Sequence, residues 1–215
     1  TLGVYKEKEK HLGRAYFELG YPSYTIGVIG DYGIVQGTTT QSIQVAQSLT
    51  ANNPDFILTT GDNTYQTNTN SFDDTVGRLY HQFIYPYTGA SGSGALVNRF
   101  FPVIGESDND IVGDLTASFY TTFFSNLTPW DQNTGSLRPH HRYYTFKKGN
   151  VQFFCLNSDS VEPDGVTQTS VQSKWLKQQI SSSVSDKNIL WRVAVFHHPW
   201  ISSGVVGHLG TWMEW

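Results

Sequence analysis

Charged residues are scarce in this chain of 215 residues, since Lys, Arg, Asp and Glu make up 15% of it, against about a quarter in typical domains. The formal net charge of −4 argues against a nucleic-acid partner bound through a basic surface. No stretch approaches the roughly 18 consecutive apolar residues that a membrane helix needs, so we expect no membrane span. The single cysteine, Cys155, excludes an internal disulfide, and we interpret it as a buried, inert thiol.

Aromatic residues are plentiful at 14%, and with so few charges the surface must be rich in Ser, Thr, Asn, Gln and Tyr. This balance favours an extracellular or periplasmic protein. The length suits one substantial domain with a sizeable core. Residues 1–23 carry a charge run without sustained apolar periodicity, and we expect an N-terminal arm or linker there. The domain would then span residues 24–215.

Short apolar runs alternate with helical patterns after residue 24, which predicts an α/β fold. A helix should begin at Thr39 or Thr40, and a second is indicated by the spacing of Val171, Trp175, Leu176 and Ile180. A hairpin is predicted about residues 147–150. The predicted strands cover residues 25–29, 55–60, 101–104, 143–146, 151–156 and 189–196.

Polar residues that can bind metals follow directly on several of these strands: Asp31, Asp62, Tyr65, Glu106, Asp108 and His197. Ligands of open α/β sheets bind beyond the carboxyl ends of the strands. Carboxylates are hard oxygen donors, and imidazole suits zinc, iron or manganese. One Gly-Asp pair is typical of an ordinary turn. Three Gly-acid pairs at successive strand ends, joined by a strand-end histidine, favour a metal site.

The ordered motifs resemble those of the purple acid phosphatase-like, calcineurin-type metallophosphoesterases. Residues 30–33 match the GDxG motif, residues 61–65 match GDxxY, and residues 195–199 read Val-Phe-His-His-Pro. The resemblance runs from about Tyr24 to the end of the chain. It implies a four-layer αββα sandwich and a dinuclear centre, with two metal ions expected to be Fe with Zn or Mn.

The resemblance also implies a role for each matched position. Asp31 would bind the first ion, Asp62 would bridge both, and Tyr65 would give a phenolate to the first. His197 would bind the second ion, which leaves His198 as a structural residue. His208 corresponds in place to a histidine that contacts phosphate, although a solvated loop histidine is an equal alternative.

The third motif departs from the family pattern, which is GNH followed by Asp or Glu. Here the residues are Gly105, Glu106, Ser107 and Asp108. Glu106 therefore stands where the family has an asparagine that would bind the second ion. Ser107 stands where the family has a histidine, and a serine hydroxyl cannot act as an acid near neutral pH as that histidine can. An alternative, shifted alignment makes Asn109 the ligand, but it requires an insertion relative to the family pattern.

The family's last motif, GHxH, is absent from the sequence, and we expect a domain lacking its C-terminal part, as a fragment or as a domain that has lost its site. Two functions follow. One is a phosphatase that hydrolyses small phosphomonoesters by metal-bound hydroxide. The alternative is a catalytically degenerate phosphatase-like module with a structural or binding role in a secreted or surface assembly, where self-assembly is an option. A phosphatase that prefers diesters or nucleotides is a third.

Overall fold

The first sheet comes from the N-terminal half of the chain. The computed structural model describes residues 16–17, 23–33, 40–66, 68, 70–109, 117–124 and 142–199. β1 lies antiparallel to β2, and β2, β3 and β4 run parallel in that order. The strands are β1 (Tyr16–Phe17), β2 (Tyr24–Ile29), β3 (Phe56–Thr59) and β4 (Phe100–Phe101).

Helical crossovers connect these parallel strands, as parallel pairing requires. α1 (Thr40–Ala51) joins β2 to β3 and buries Ala46 and Leu49, two of the residues that predicted it. Between β3 and β4 a π-helical turn (Asp73–Gly77) runs into α2 (Arg78–Tyr80) and a 3-10 turn (His81–Phe83).

The second sheet contains the predicted hairpin. β5 (Tyr144–Lys148) and β6 (Val151–Cys155) pair antiparallel, and β7 (Trp191–Val195) pairs parallel with β6. α3 (Ser118–Phe123) precedes this sheet, and α4 (Val171–Ser185) connects β6 to β7. The Ser170 side chain caps α4 by accepting a hydrogen bond from the Ser173 amide at 3.1 Å.

Alternation along the strands places the two sheets face to face between layers of helix. In β3, Ile57 packs with α1 on one side, while Leu58 faces the second sheet and shares a core with Phe153. In β6, Phe154 points the other way, onto Trp175 of α4. The layers are therefore helix, sheet, sheet and helix. This arrangement confirms the predicted α/β sandwich.

Aromatic rings fill the space between the sheets. Phe56 is 1% exposed and makes edge-to-face contacts with four other rings. Phe101 stacks on Phe146 with ring centroids 3.8 Å apart. The partners of Phe56 are Tyr24, Phe101, Phe146 and Phe153. This packing fixes how the strand ends of one sheet face those of the other.

Four strands are shorter than predicted: β3, β4, β6 and β7. The run from Phe101 to Ile104 is buried, but pairing in β4 stops at Phe101 because Pro102 has no amide hydrogen. Beyond it, the Val103 amide donates to the Thr59 side chain at 3.0 Å instead of to a backbone carbonyl of β3.

Three further predictions concern Cys155, membrane-spanning helices and the N-terminal arm. Cys155 is 1% exposed, which confirms the predicted burial, and burial raises the pKa of its thiol to about 12, which disfavours the reactive thiolate. Within the described ranges, no helix has both the length and the apolar character needed to cross a bilayer. The predicted N-terminal arm lies outside the described residues except for β1 and Ser23.

We expect Leu58→Ala to lower the free energy of unfolding by about 2–5 kcal/mol, because it leaves a cavity between the sheets. Leu96→Ala is the matched control, since Leu96 is 92% exposed and its loss should change stability by no more than about 0.5 kcal/mol. Urea denaturation of both variants tests this, and equal effects would contradict the assigned core.

Candidate metal centre

Three side chains of the types that ligate metals, from three strand ends, converge at one point. Asp31 follows β2, Asp62 follows β3, and His197 follows β7 of the other sheet. One ligand atom from each lies within 4.8 Å of the others. Asp31 is exposed, His197 is partly buried and Asp62 is buried, so the cluster opens to solvent on the Asp31 side.

The backbone of the two aspartate loops is unusual. Asp31 and Asp62 both have φ of 54°, in the left-handed region that aspartate tolerates better than most residues. Such conformations persist where the surroundings enforce them, and they concentrate at functional sites. Here the Asp31 amide donates to the Gly61 carbonyl, and the Gly33 amide donates to the Asp62 carbonyl, each at 3.1 Å.

At the strand ends that carry the aspartates, glycine is needed mainly because neighbouring atoms lie too close to leave room for a Cβ. A Cβ on Gly105 would lie 2.2 Å from the Asp62 amide nitrogen and 2.3 Å from its Oδ1. Gly61, with φ of 100°, is the position where backbone freedom itself is needed. The Gly-acid pairs thus mark crowded strand ends as well as turns.

Asp62 is held on both carboxylate oxygens. The Ser107 amide donates to Oδ1 and the Ser107 hydroxyl donates to Oδ2, both at 2.9 Å. The Nε2 atom of His197 lies 3.5 Å from the same Oδ1. Sequence reasoning considered Ser107 only as a lost histidine and missed this contact, which joins residues 45 positions apart.

His197 has a defined orientation. Its Nδ1 lies 2.8 Å from the Thr60 carbonyl oxygen, which can only accept, so Nδ1 carries a hydrogen. In the neutral ring, Nε2 then presents its lone pair toward the aspartates. A backbone carbonyl on the far nitrogen is the usual support of a metal-binding histidine.

The charges at this edge are unfavourable to one another in the absence of a cation. Burial raises the pKa of Asp31 and His197 opposes that effect, while the charges of Asp62 and Glu106 raise it further. The pKa of Tyr65 is raised by burial and by the charges of Asp62 and Asp31. Burial and the two negative charges both favour the neutral form of Tyr65, so a Tyr65 phenolate would need the charge of a nearby cation.

Glu106 lies beside the three-residue cluster. Its Oε2 is 3.0 Å from Nε2 of His198, and the side chain is 49% exposed. The other ring nitrogen of His198, Nδ1, is 2.8 Å from the hydroxyl of Ser158. His198, which is predicted to be structural, is therefore in direct contact with Glu106, a predicted ligand.

The family model of the calcineurin-like phosphoesterases matches residues 24–211. The chain belongs to this family. The matched range contains every residue predicted for the site, including His208, which lies outside the described residues. Comparison with individual curated proteins gave no match. Family membership implies metal-dependent hydrolysis of phosphoesters.

A buried carboxylate, Asp108, braces the loops behind the cluster. Asp108 Oδ1 accepts from the amides of Asn63 at 2.9 Å and Thr64 at 3.1 Å, and Oδ2 accepts from the Gly105 amide at 2.8 Å and the Asn63 side chain at 2.7 Å. Burial raises the pKa of Asp108 to about 7, and these hydrogen bonds oppose the rise. Asp108 therefore connects the second motif with the third.

Asn109, the ligand in the shifted alignment, is 7% exposed. Its side-chain nitrogen, Nδ2, donates to Asp159 Oδ2 at 2.9 Å, which ties the third motif to the loop after β6. The assignment of Asp31, Asp62, Tyr65, Glu106 and His197 as ligands, and of His208 as a phosphate contact, stays a prediction.

We expect Asp62→Asn to fold normally but to lose both metal ions. Asparagine tolerates the left-handed backbone, and its amide can still bond with the Ser107 amide and hydroxyl, but the bridging charge is gone. Elemental mass spectrometry of protein reconstituted with Mn²⁺ measures the ions per chain. Asp74→Asn, on an exposed residue, should retain the wild-type content. Two ions retained in Asp62→Asn would refute the bridging role.

Proposed function

We propose that this chain is a dinuclear phosphoesterase of the purple acid phosphatase-like type that hydrolyses small phosphomonoesters. The observation that carries the proposal is the convergence of Asp31, Asp62 and His197, with ligand atoms within 4.8 Å, in a member of the calcineurin-like family. Two carboxylates and an imidazole are a donor set that suits iron, zinc or manganese.

The proposed ligands divide between two ions that share Asp62. Asp31 and Tyr65 complete the set for the first ion, and Glu106 and His197 complete it for the second. The raised pKa values of Asp31 and Tyr65 support this, because a cation placed between these groups favours their ionised forms and so offsets the burial and the neighbouring charges that raise the pKa. A phenolate at Tyr65 favours Fe at the first position, with Zn or Mn at the second.

A bound pair of ions supplies an activated water and neutralises charge on the phosphoryl oxygens. The chain's own contribution is orientation. Ser107 fixes both oxygens of Asp62, and Thr60 fixes the ring of His197, so little rearrangement is needed when the ions bind. Because the Ser107 hydroxyl is occupied with Asp62, we assign the contact to phosphate to His208.

The binding-module alternative has an observation of its own. Glu106, which stands at the altered position, has one carboxylate oxygen bonded to His198, and Ser107 is bonded to Asp62. Such internal bonds are also expected of a site that no longer turns over substrate. Hydrolysis assays with measured metal content separate the two functions.

We expect the Mn²⁺-loaded or Fe/Zn-loaded protein to hydrolyse para-nitrophenyl phosphate faster than bis-(para-nitrophenyl) phosphate. Asp31→Asn should lower the monoesterase rate more than about 100-fold, since loss even of groups that only support metal ligands costs about 10- to 100-fold. Asp74→Asn should keep the wild-type rate. A chelator should abolish activity, and added metal should restore it.

Faster cleavage of the diester would contradict the phosphomonoester assignment while leaving the metal centre in place. Two bound ions without hydrolysis of either ester would favour the binding module. Hydrolysis that resists both the chelator and Asp31→Asn would overturn the metal-dependent mechanism at this cluster.

A further inference from the structure

Three side chains from three strand ends form a hydrogen-bonded chain next to the metal cluster. Ser158 follows β6, His198 follows β7, and Glu106 follows the first sheet's last strand. The Ser158 hydroxyl is 2.8 Å from His198 Nδ1, and His198 Nε2 is 3.0 Å from Glu106 Oε2. Ser158 is fully buried and His198 is 7% exposed, so the chain runs from the interior to the site.

The hydrogen bonds give this chain a direction. The His198 amide donates to the Ser158 oxygen at 3.1 Å, so the hydroxyl hydrogen is available to donate to Nδ1. The ring then carries its hydrogen on Nε2, facing a Glu106 carboxylate that can only accept. Each atom of the chain thus has a matching donor or acceptor.

The inner end of the chain is rigid. The Asn157 amide donates to Gln172 Oε1, and the Gln172 side chain donates back to the Asn157 carbonyl, both at 2.9 Å. The Asn157 side chain donates to Glu162 Oε2 at 2.7 Å, and Glu162 is in turn paired with the buried Arg142. Ser158 is therefore held in place by groups from α4 and the loops around β6.

The outer end of the chain is a long side chain that is half exposed to solvent. A glutamate side chain has three rotatable torsions, and one that is half exposed loses appreciable entropy when it is fixed. The Glu106 charge already acts on Asp31 at the cluster. A donor that fixes one oxygen of Glu106 therefore also fixes where its charge lies relative to the aspartates.

We propose that His198, oriented by Ser158, is a positioning residue that holds the Glu106 carboxylate in place for the second metal ion. This inference rests on the proposed function, in which Glu106 binds that ion. The side chain of Glu106, which is longer than the asparagine of the family pattern, then works together with His198, which is within hydrogen-bond distance of it. Removal of such supporting partners typically weakens metal binding about 10- to 100-fold.

The test is Mn²⁺ titration by calorimetry of the full chain and its variants, with circular dichroism as the check on folding. Wild type should bind two ions. His198→Ala should weaken one of the two sites about 10- to 100-fold and leave the other unchanged. His198→Gln, which offers an amide donor near the position of Nε2, should recover most of the loss. Ser158→Ala should weaken the same site by a smaller factor.

A double-mutant cycle with Glu106→Ala separates positioning from a general structural effect. If His198 acts through Glu106, His198→Ala should have no further effect on Mn²⁺ affinity in the Glu106→Ala background. An equal loss in both backgrounds, or no loss from His198→Ala in wild type, would overturn the inference while two bound ions leave the proposed function standing. A wild-type chain that binds no Mn²⁺ and hydrolyses no phosphoester would overturn the proposed function and this inference with it.

Discussion

The close approach of the two aspartate loops is the constraint on which the rest of the site depends. Hydrogen bonds from the Asp31 and Gly33 amides to the carbonyls of Gly61 and Asp62 bind the loops together at 3.1 Å. A Cβ on Gly33 would lie 2.4 Å from Thr64 Cα, so no larger residue fits between them. The left-handed backbone at both aspartates follows from this approach, and it turns their carboxylates toward the same point.

This geometry gathers negative charge that the protein itself does little to neutralise. The groups that hold Asp62 include a backbone amide and a hydroxyl of Ser107 and the side chain of Tyr65, which orient the carboxylate without cancelling its charge. Asp31 and Glu106 add to the same field. A site built in this way is electrostatically incomplete and suits a cation, because opposite charge nearby favours the ionised carboxylates.

Much of this molecule could be predicted from local patterns. The strand-end rule pointed to Asp31, Asp62 and His197, because the carboxyl ends of parallel strands meet at one edge. The spacing of Ala46 and Leu49 predicted α1, because side chains three residues apart lie on the same face of a regular helix. The bonds of Glu106 could not be foreseen, because its partner His198 is 92 positions away and no sequence period connects them.

Other features were missed because they depend on crowding in space. The third motif appeared defective when its residues were compared one by one with the family pattern. In the fold, Ser107 secures Asp62, and Asp108 accepts four hydrogen bonds that join the loops behind it. Local propensity carries no information on most of these contacts, since all of them except the bond from the Gly105 amide to Asp108 join residues 44 or 45 positions apart.

The cluster draws its side chains from both sheets, since Asp31 and Asp62 follow strands of the first and His197 follows a strand of the second. An ion bound by all three would act as a crosslink between the two halves of the sandwich, parallel to the aromatic packing around Phe56. Because binding to the folded state alone adds about 2.7 kcal/mol of stability when the free ion is at 100 times its dissociation constant, metal supply and resistance to unfolding become linked quantities. Metal availability would then set the resistance of the fold to unfolding, and withholding the ion would lower the stability of the protein as well as its activity.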